Sequence, residues 1–419
     1  MRDFRYVEVV RTLVLGGEGS EGHDATEWKL DEVCYAVSHF TELRSLSIDR
    51  TTIPAHSFTD IITTLPRLEH FHCRSLDDEL NPYSFTPCRF PWGYPIPHAP
   101  NLTVIELHQI DVNERFGYPD EGVIALAALS SLSNITTLRV DLPSWESLLE
   151  GRRYCGLGLP ISLRELVILP RPEDHMIINP DMDIEGAQLL AALQPCVTSL
   201  EILRILTPYV ESPMSQAPIL KFDRLKEYVG PEAILRHLDF PMEVEVVWVS
   251  CRSRLVGIDP SVAGDLLSFS RLRFLSVGAW DLKRHTLHSL LTQLPHLREL
   301  SITPLASLDK DDLLKMTPVL SACKDLRAIS LVCPFSLPTS VYLEVLEAWS
   351  SQAPGLQSVR FESGHTWHCS PPSHNQNVIS GWWLGGWQWW TITTCLFLPD
   401  SYASLYEGIS PRFAPFITA

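Results

Sequence analysis

The chain has 419 residues, of which 45% are hydrophobic, so it can form two or three domains or one extended repeat array, and wholesale disorder is excluded. The net charge of −17, with no run rich in lysine and arginine, argues against a nucleic-acid partner. Ten cysteines without a C-x-x-C pair indicate neither a zinc ribbon nor a redox dithiol. The N-terminus lacks the apolar core of a secretory signal, so we expect a cytoplasmic or nuclear protein with buried thiols.

A short motif with the spacing L-x-x-L-x-L runs along most of the chain. Alternation within the motif predicts a short β-strand whose leucine-type side chains share one face. The copies at Val10, Leu225 and Val244 are weaker than the others. Thirteen copies are separated by 19 to 37 residues and start at Val10, Leu43, Leu68, Leu102, Ile135, Leu163, Leu200, Leu225, Val244, Leu272, Leu297, Leu326 and Leu356.

The segments between these copies favour helices. Apolar residues recur with helical spacing over 30–40, 58–65, 313–323 and 340–349. Ser57 is a candidate N-cap for the second segment, and the acidic run 309–312 suits the positive end of the third. A proline precedes several strands and is expected to stop the preceding helix, at Pro66, Pro100, Pro295 and Pro354.

Strand, turn and outer helix in repetition predict an α/β leucine-rich-repeat solenoid over residues 1–367. We expect a curved horseshoe of 12 to 13 irregular repeats, with parallel strands on the concave face and helices outside. No single repeat can bury its leucine face alone, so stacking would create one continuous core. The alternative is an ordinary doubly wound α/β protein, which also alternates strands and helices.

The chain resembles the leucine-rich-repeat region of F-box proteins, and more narrowly large families predicted in mushroom-forming fungi. The resemblance lies in the motif copies, the prolines before strands, and the stretches YVEVVRTLVL (6–15), LKEYVGPEAIL (225–235) and APGLQSVRFESGHTW (353–367). It covers about residues 4–367 and implies that an N-terminal F-box docks onto a cullin-type ubiquitin ligase while the repeats hold the substrate. Only nine residues precede the first copy, too few for a helical F-box. The sequence is therefore expected to be an isolated repeat domain or to start downstream of a missing exon.

These features favour a non-enzymatic protein–protein interaction module, namely the substrate receptor of an F-box-type ligase. The alternative is a repeat scaffold or inhibitor unrelated to ubiquitin. The side chains flanking the second leucine of each copy should point away from the core. In the central copies they form a predicted apolar partner surface of Val167, Ile202, Arg204, Val229, Val246, Trp248 and Phe274. A slip of one residue in the weak copies would instead turn these side chains inward.

Two other patterns are expected to carry no site. The glycine-rich segment GGEGSEG (16–22) has the outline of a dinucleotide fingerprint, but Glu18, Glu21 and Asp24 put negative charge where a pyrophosphate would lie. His70 and His72 face the same side of one strand, yet two ligands do not make a metal site. We therefore expect no cofactor, no metal and no catalytic residue; a nucleotide-binding enzyme is the less favoured reading.

The last segment, 368–419, is an atypical tryptophan-rich tail. It contains GWWLGGWQWW (381–390), and residues 363–399 include no charged side chain. The uncharged run 378–398 is long enough to span a bilayer, but glycines, threonines and Gln388 dilute it, so membrane attachment is disfavoured. A cap over the last repeat is preferred, since solenoid ends need covering. A translated intron or an altered reading frame is the competing explanation.

Overall fold

The computed structural model describes residues 9–15, 36–37, 39–49, 62–76, 99–110, 121–169, 186–206, 217–239, 243–250, 271–280, 291, 294–304, 308–321, 323–331, 337–362, 365–368, 381–384 and 387–391. The chain divides into two units. The first comprises Met1–Leu225 with His237–Asp239, and the second comprises Lys226–Arg236 with Phe240–Ala419. Each unit is described by itself below.

Seven parallel strands, hydrogen-bonded in chain order, form the sheet of the first unit. They are β1 (Thr12–Leu15), β2 (Ser45–Asp49), β3 (His70–Leu76), β4 (Val104–Ile110), β5 (Thr137–Asp141), β6 (Glu165–Leu169) and β7 (Ile202–Ile205). A separate parallel pair joins β8 (Leu220–Lys221) to β10 (Leu238–Asp239). The helices are α1 (Glu121–Ser130), α2 (Leu142–Cys155) and α3 (Gly186–Leu193), followed by a 3₁₀ turn (Gln194–Cys196).

The second unit continues the same pattern with six parallel strands. They are β9 (Glu227–Pro231), β11 (Val246–Ser250), β12 (Phe274–Trp280), β13 (Glu299–Pro304), β14 (Ala328–Leu331) and β15 (Ser358–Glu362). Its helices are α4 (Glu232–Leu235), α5 (Lys310–Lys315), α6 (Thr317–Leu320) and α7 (Thr339–Gln352). Three antiparallel strands then extend the sheet from β15, in the spatial order β16 (His365–His368), β18 (Trp387–Thr391) and β17 (Gly381–Leu384).

All thirteen motif copies form strands in the predicted register. Each of these thirteen parallel strands begins at the third residue of its L-x-x-L-x-L copy. One backbone contact repeats along each sheet: the carbonyl of the second motif residue accepts two N–H groups from the next repeat. The carbonyl of Glu69, for example, accepts from the N–H of Thr103 at 2.9 Å and of Val104 at 3.1 Å. This ladder and the leucine core define a leucine-rich-repeat solenoid fold, as predicted.

The leucine-type positions form the core. Leu43, Leu46 and Ile48 of one copy are each at most 1% exposed. The weak copies at Leu225 and Val244 behave in the same way, because Tyr228 and Val247 are fully buried at the second leucine position. In the weak copy at Val10, Leu13 is only half-buried. Register also pairs Tyr228 and Val247 directly between β9 and β11. The suggested one-residue slip in the weak copies is therefore wrong.

The prolines before strands lie in tight turns. The N–H of Leu68 donates to the carbonyl of Leu65 at 3.2 Å, so Pro66 occupies the second position of a four-residue turn, where its fixed φ is favoured. The same bond joins Leu102 to Ala99, and the copies at Leu297 and Leu356 repeat it. Proline in this chain thus starts the turn that leads into the strand.

The helices match the predictions where the structure describes them. α7 covers the predicted 340–349 segment, whereas the 313–323 segment divides into α5 and α6, with Pro318 in the first turn of the second helix. Asp309 caps α5, since its side chain accepts from the N–H of Asp312 at 2.8 Å. For the segments 30–40 and 58–65, only 36–37 and 62–64 are described as helical, and Ser57 lies outside the described residues.

The tryptophan-rich segment supplies β17 and β18, which pair antiparallel with Trp382 opposite Trp389. The change from parallel to antiparallel pairing occurs at β16, close to the predicted domain boundary at 367/368. Among the described residues, none of the helices has both the length and the apolarity needed to cross a membrane. The described parts of 378–398 are strands.

Candidate functional site

The candidate site is the sheet face opposite the leucine core, which we call the variable face. It consists of the third and fifth residues of each motif copy. In the first unit these include Ser45, Ser47, His70, His72, Val104, Glu106, Thr137, Arg139, Glu165, Val167, Ile202 and Arg204. In the second unit they are Glu227, Val229, Val246, Trp248, Phe274, Ser276, Glu299, Ser301, Ala328, Ser330, Ser358 and Arg360.

An ion-pair network crosses three strands of the variable face in the first unit. The guanidinium of Arg139 on β5 donates to a carboxylate oxygen of Glu106 on β4 at 2.9 Å and to one of Glu165 on β6 at 3.1 Å. All three side chains are partly exposed, with Glu165 the least so at 18%. Two carboxylates therefore share one guanidinium, which leaves the cluster with a formal charge of −1.

Two histidines adjoin this network, and only one of them, His72, belongs to the pair that the sequence places on β3. His72 on β3 lies opposite Glu106 in the strand register, and its ring meets that of His108 edge-on, with centroids 5.3 Å apart. The Nδ1 atom of His72 also lies 3.2 Å from the hydroxyl of Ser47. His70, which shares a face with His72, is opposite Val104 instead. The sequence could have revealed His108, because it lies two residues after Glu106 and therefore on the same face.

The predicted apolar surface is less exposed than expected in the first unit. Val167 is fully buried and Arg204 is 5% exposed, while Ile202 is half-buried. The register places Val167 between Arg139 and Arg204, whose strands stand about 4.8 Å away on either side. A short valine between two long side chains lies beneath them. The expectation of solvent exposure at Val167 and Arg204 was wrong.

In the second unit the apolar residues form a partly covered cluster. Val229 and Phe274 are buried, with 3% and 4% exposure, whereas Val246 and Trp248 on the strand between them are half-buried. Val229 is opposite Trp248, and Phe274 is opposite Val246. The expectation of solvent exposure at Val229 and Phe274 was therefore also wrong. Val246 and Trp248 present the accessible part of this cluster.

Beyond this cluster the variable face of the second unit becomes polar yet remains covered. Ser276, Ser330 and Arg360 are between 3% and 7% exposed and follow one register row across β12, β14 and β15. Alternation places them on the correct face, but it does not report how much their neighbours cover them.

Other polar groups of the fold are structural. Arg152 of α2 is 3% exposed and donates to the hydroxyl of Ser130 at 2.7 Å. Burial lowers the pKa of Arg152 to about 10, against an opposing contribution from Cys196. Cys73, Cys196 and Cys323 are buried thiols, as expected. The glycine-rich segment 16–22 lies outside the residues that the structure describes.

The fold and this face together define the chain as a leucine-rich-repeat solenoid. No family model matches it, and no curated protein matches it either. Among solved structures, it is similar to a chain of the Rad7 and Elc1 complex in yeast, with 13% identity, coverage of 79% of this chain and 72% of that chain, and a TM-score of 0.38. It is also similar to a chain of the TLR13–ssRNA13 complex, with 14% identity and a TM-score of 0.43. That match covers 86% of this chain and 44% of the other, so this chain spans less than half of its length.

Proposed function

We propose that the protein is a non-enzymatic interaction module that binds another protein through the variable face of its second unit. The observation that carries this proposal is the cluster around β11, where Trp248 and Val246 are half-buried above the buried Val229 and Phe274. A tryptophan over a packed apolar base is a frequent anchor in protein interfaces, because it buries a large area at a small entropic cost.

The predicted surface residues take different roles in this proposal. Trp248 and Val246 would contact the partner, and Ile202 is the half-buried candidate in the first unit. Val167, Arg204, Val229 and Phe274 would support their neighbours from beneath, since their own exposure is 5% or less. A partner offering an apolar side chain would complete the burial of the indole.

We further propose that the captured protein is a substrate for ubiquitination. Support comes from the motif copies, the prolines and the three stretches that resemble the repeat region of F-box proteins. In such a receptor the repeats hold the substrate and a separate F-box contacts the ligase. A scaffold or inhibitor without any link to ubiquitin would use the same face.

Site-specific photo-crosslinking in cells tests the binding proposal. A photoreactive phenylalanine analogue at position 248 should give a discrete protein adduct, because the native indole is the proposed anchor. The matched control is position 161, where Ile161 is 69% exposed in the turn before β6 and lies off the variable face. Identical adducts from the two positions, or none from position 248, would contradict the proposal.

The affinity of the identified partner then measures the contribution of the anchor. Trp248→Ala should weaken binding at least about tenfold, whereas Ile161→Ala should leave it unchanged. Circular dichroism of both variants shows whether the fold is retained. Mass spectrometry of the purified complex distinguishes a ubiquitin-ligase receptor from a scaffold. Cullin-ligase subunits in the complex would support the receptor. A complex that contains the partner but no cullin-ligase subunits would favour the scaffold.

A further inference from the structure

Three metal-ligating side chains come together on the variable face of the first unit. They are His72 on β3 with Glu106 and His108 on β4, and one ligand atom from each lies within 4.8 Å of the other two. All three side chains are half-buried. We propose that His72, Glu106 and His108 form a binding site for a divalent first-row transition-metal ion, with Zn²⁺ the best fit.

Strand register creates this cluster. His72 lies directly opposite Glu106, and Arg74 lies opposite His108, so β3 and β4 run in step through the site. Alternation puts Glu106 and His108, two residues apart, on the same face of β4. The two backbone strands therefore hold the ligands in a fixed arrangement, and only side-chain rotation is needed to adjust it.

The donor set determines the class of ion. Two imidazoles with one carboxylate suit Zn²⁺ and neighbouring transition metals, whereas Mg²⁺ and Ca²⁺ prefer oxygen-only sites. A tetrahedral ion with bonds of roughly 2.0–2.1 Å holds its ligand atoms about 3.3 Å apart. From 4.8 Å, the side chains would close by up to about 1.5 Å on binding. Three protein ligands leave a fourth position for water or for a donor from a bound partner.

Neighbouring side chains provide the outer contacts that metal ligands usually have. The hydroxyl of Ser47 lies 3.2 Å from Nδ1 of His72; in the proposed site this contact would orient the ring, and Nε2 would bind the ion. The guanidinium of Arg139 donates to one oxygen of Glu106 at 2.9 Å, so the other oxygen can serve as ligand. Because Glu165 also binds Arg139, the local charge is −1 before an ion enters and +1 afterwards.

Zinc titration of the full chain, purified without a histidine tag and treated with a chelator, tests the site. Calorimetry should show one Zn²⁺ bound per chain, and Co²⁺ should give the intense visible absorbance of a tetrahedral site, with no comparable heat from Mg²⁺. His108→Ala and His72→Ala should each weaken Zn²⁺ binding at least about tenfold. The matched control is His70→Ala, since this exposed histidine shares β3 but is not part of the cluster.

Absence of saturable binding, or unchanged affinity in His108→Ala, would overturn the proposal. Chemical modification of the unaltered chain tests the site without relying on variants that could fail to fold. Zn²⁺ should protect His72 and His108, and not His70, from carbethoxylation read by mass spectrometry; protection only at other histidines would also overturn it. The site is independent of the proposed protein binding, because crosslinking at position 248 tests a different unit.

Discussion

Each unit repeats the same pattern of backbone hydrogen bonds and buries the same leucine-type positions, but the variable faces of the two units differ. In the first unit a partly exposed charged network joins Glu106, Arg139 and Glu165. In the second unit the corresponding rows hold the Trp248 cluster and then covered polar residues such as Ser330. The motif constrains only the residues that face the core, so the other face is free to acquire different chemistry in each unit. The fold is thus set by one half of each strand and the binding properties by the other.

The largest expected effect comes from two fully buried tryptophans, one taken from each unit. Trp145 of α2 and Trp349 of α7 are both fully buried, and replacing either by alanine should lower the free energy of unfolding by about 3–5 kcal/mol. Since repeats contact only their neighbours, the loss of hydrogen-exchange protection should concentrate around the substituted helix. Urea denaturation and exchange mass spectrometry measure both quantities. Uniform loss over the whole chain would contradict local coupling.

Phenylalanine substitutions sharpen the comparison of these two residues. The indole N–H of Trp349 donates to the carbonyl of Leu313 at 3.1 Å, whereas that of Trp145 has no hydrogen-bond partner among the described residues. Trp349→Phe should therefore cost about 1 kcal/mol more than Trp145→Phe. Equal costs in urea denaturation would show that the hydrogen bond contributes nothing net.

Alkaline pH should destabilise the second unit through the buried thiol of Cys323, whereas in the first unit the lowered pKa of Arg152 opposes the contribution of Cys196. Burial raises the pKa of Cys323 from 9.0 to about 12, and burial raises that of Cys196 to about 12 despite the nearby charge of Arg152. Below pH 9 both folded and unfolded thiols are protonated, and this contribution to stability is complete. Between pH 9 and 12 the unfolded chain loses the proton first, so stability falls as pH rises.

Replacing one thiol isolates its share of this pH dependence. Cys323→Ala should reduce the slope of unfolding free energy against pH by up to about 1.4 kcal/mol per pH unit within that window. Cys196→Ala is the matched variant in the first unit. Urea denaturation at several pH values gives the slopes, and the cavity left by each substitution adds only a constant offset. A slope equal to that of the unaltered chain would contradict the assigned pKa.

Loss of a helix cap should give the next largest decrease in stability. Asp141 caps α2 by accepting from the N–H of Ser144 at 3.0 Å and is 1% exposed, whereas the capping residue Asp309 of α5 is exposed. We expect Asp141→Ala to cost about 2 kcal/mol and Asp309→Ala about 1 kcal/mol, because burial removes competing water. Asparagine at either position should retain most of the stability, which thermal denaturation can verify. A larger loss at Asp309 would contradict this ranking.

The smallest effect should come from the charged network of the first unit. Its three side chains are partly exposed, so Arg139→Met should cost about 0.5 kcal/mol, and less at high salt. A double-mutant cycle with Glu165→Gln measures the pair directly. A coupling of several kcal/mol would mean that the network is far better shielded from solvent than its exposure indicates.

Much of the fold could be predicted because the motif itself states which side chains are buried. Leu46 and Leu138 mark strands whose alternate residues must face the core, and one shared spacing fixes the register between repeats. The weak copies followed the same rule, since Tyr228 fills the place of a leucine. The position of a residue in the repeat therefore predicted its burial better than its residue type did.

The candidate site was less predictable because it depends on contacts between repeats. Val167 is buried and lies in register between Arg139 and Arg204, and its neighbours in sequence do not reveal which side chains adjoin it on the neighbouring strands. His108 was missed because β4 continues to Ile110, beyond the six residues of the motif. Pairing His72 with His70 rested on one strand alone, whereas the cluster joins two.

The change of strand direction after β15 has a consequence for assembly. A parallel repeat ladder offers the same unused backbone groups at its end that it uses within, so another chain could in principle extend it. Here β16 pairs antiparallel with β15, and the sheet order ends at the four-residue strand β17. Such a short edge strand of opposite sense is a poor template for a further repeat. We therefore expect these strands to disfavour end-to-end association of repeat arrays, which would otherwise give a filament.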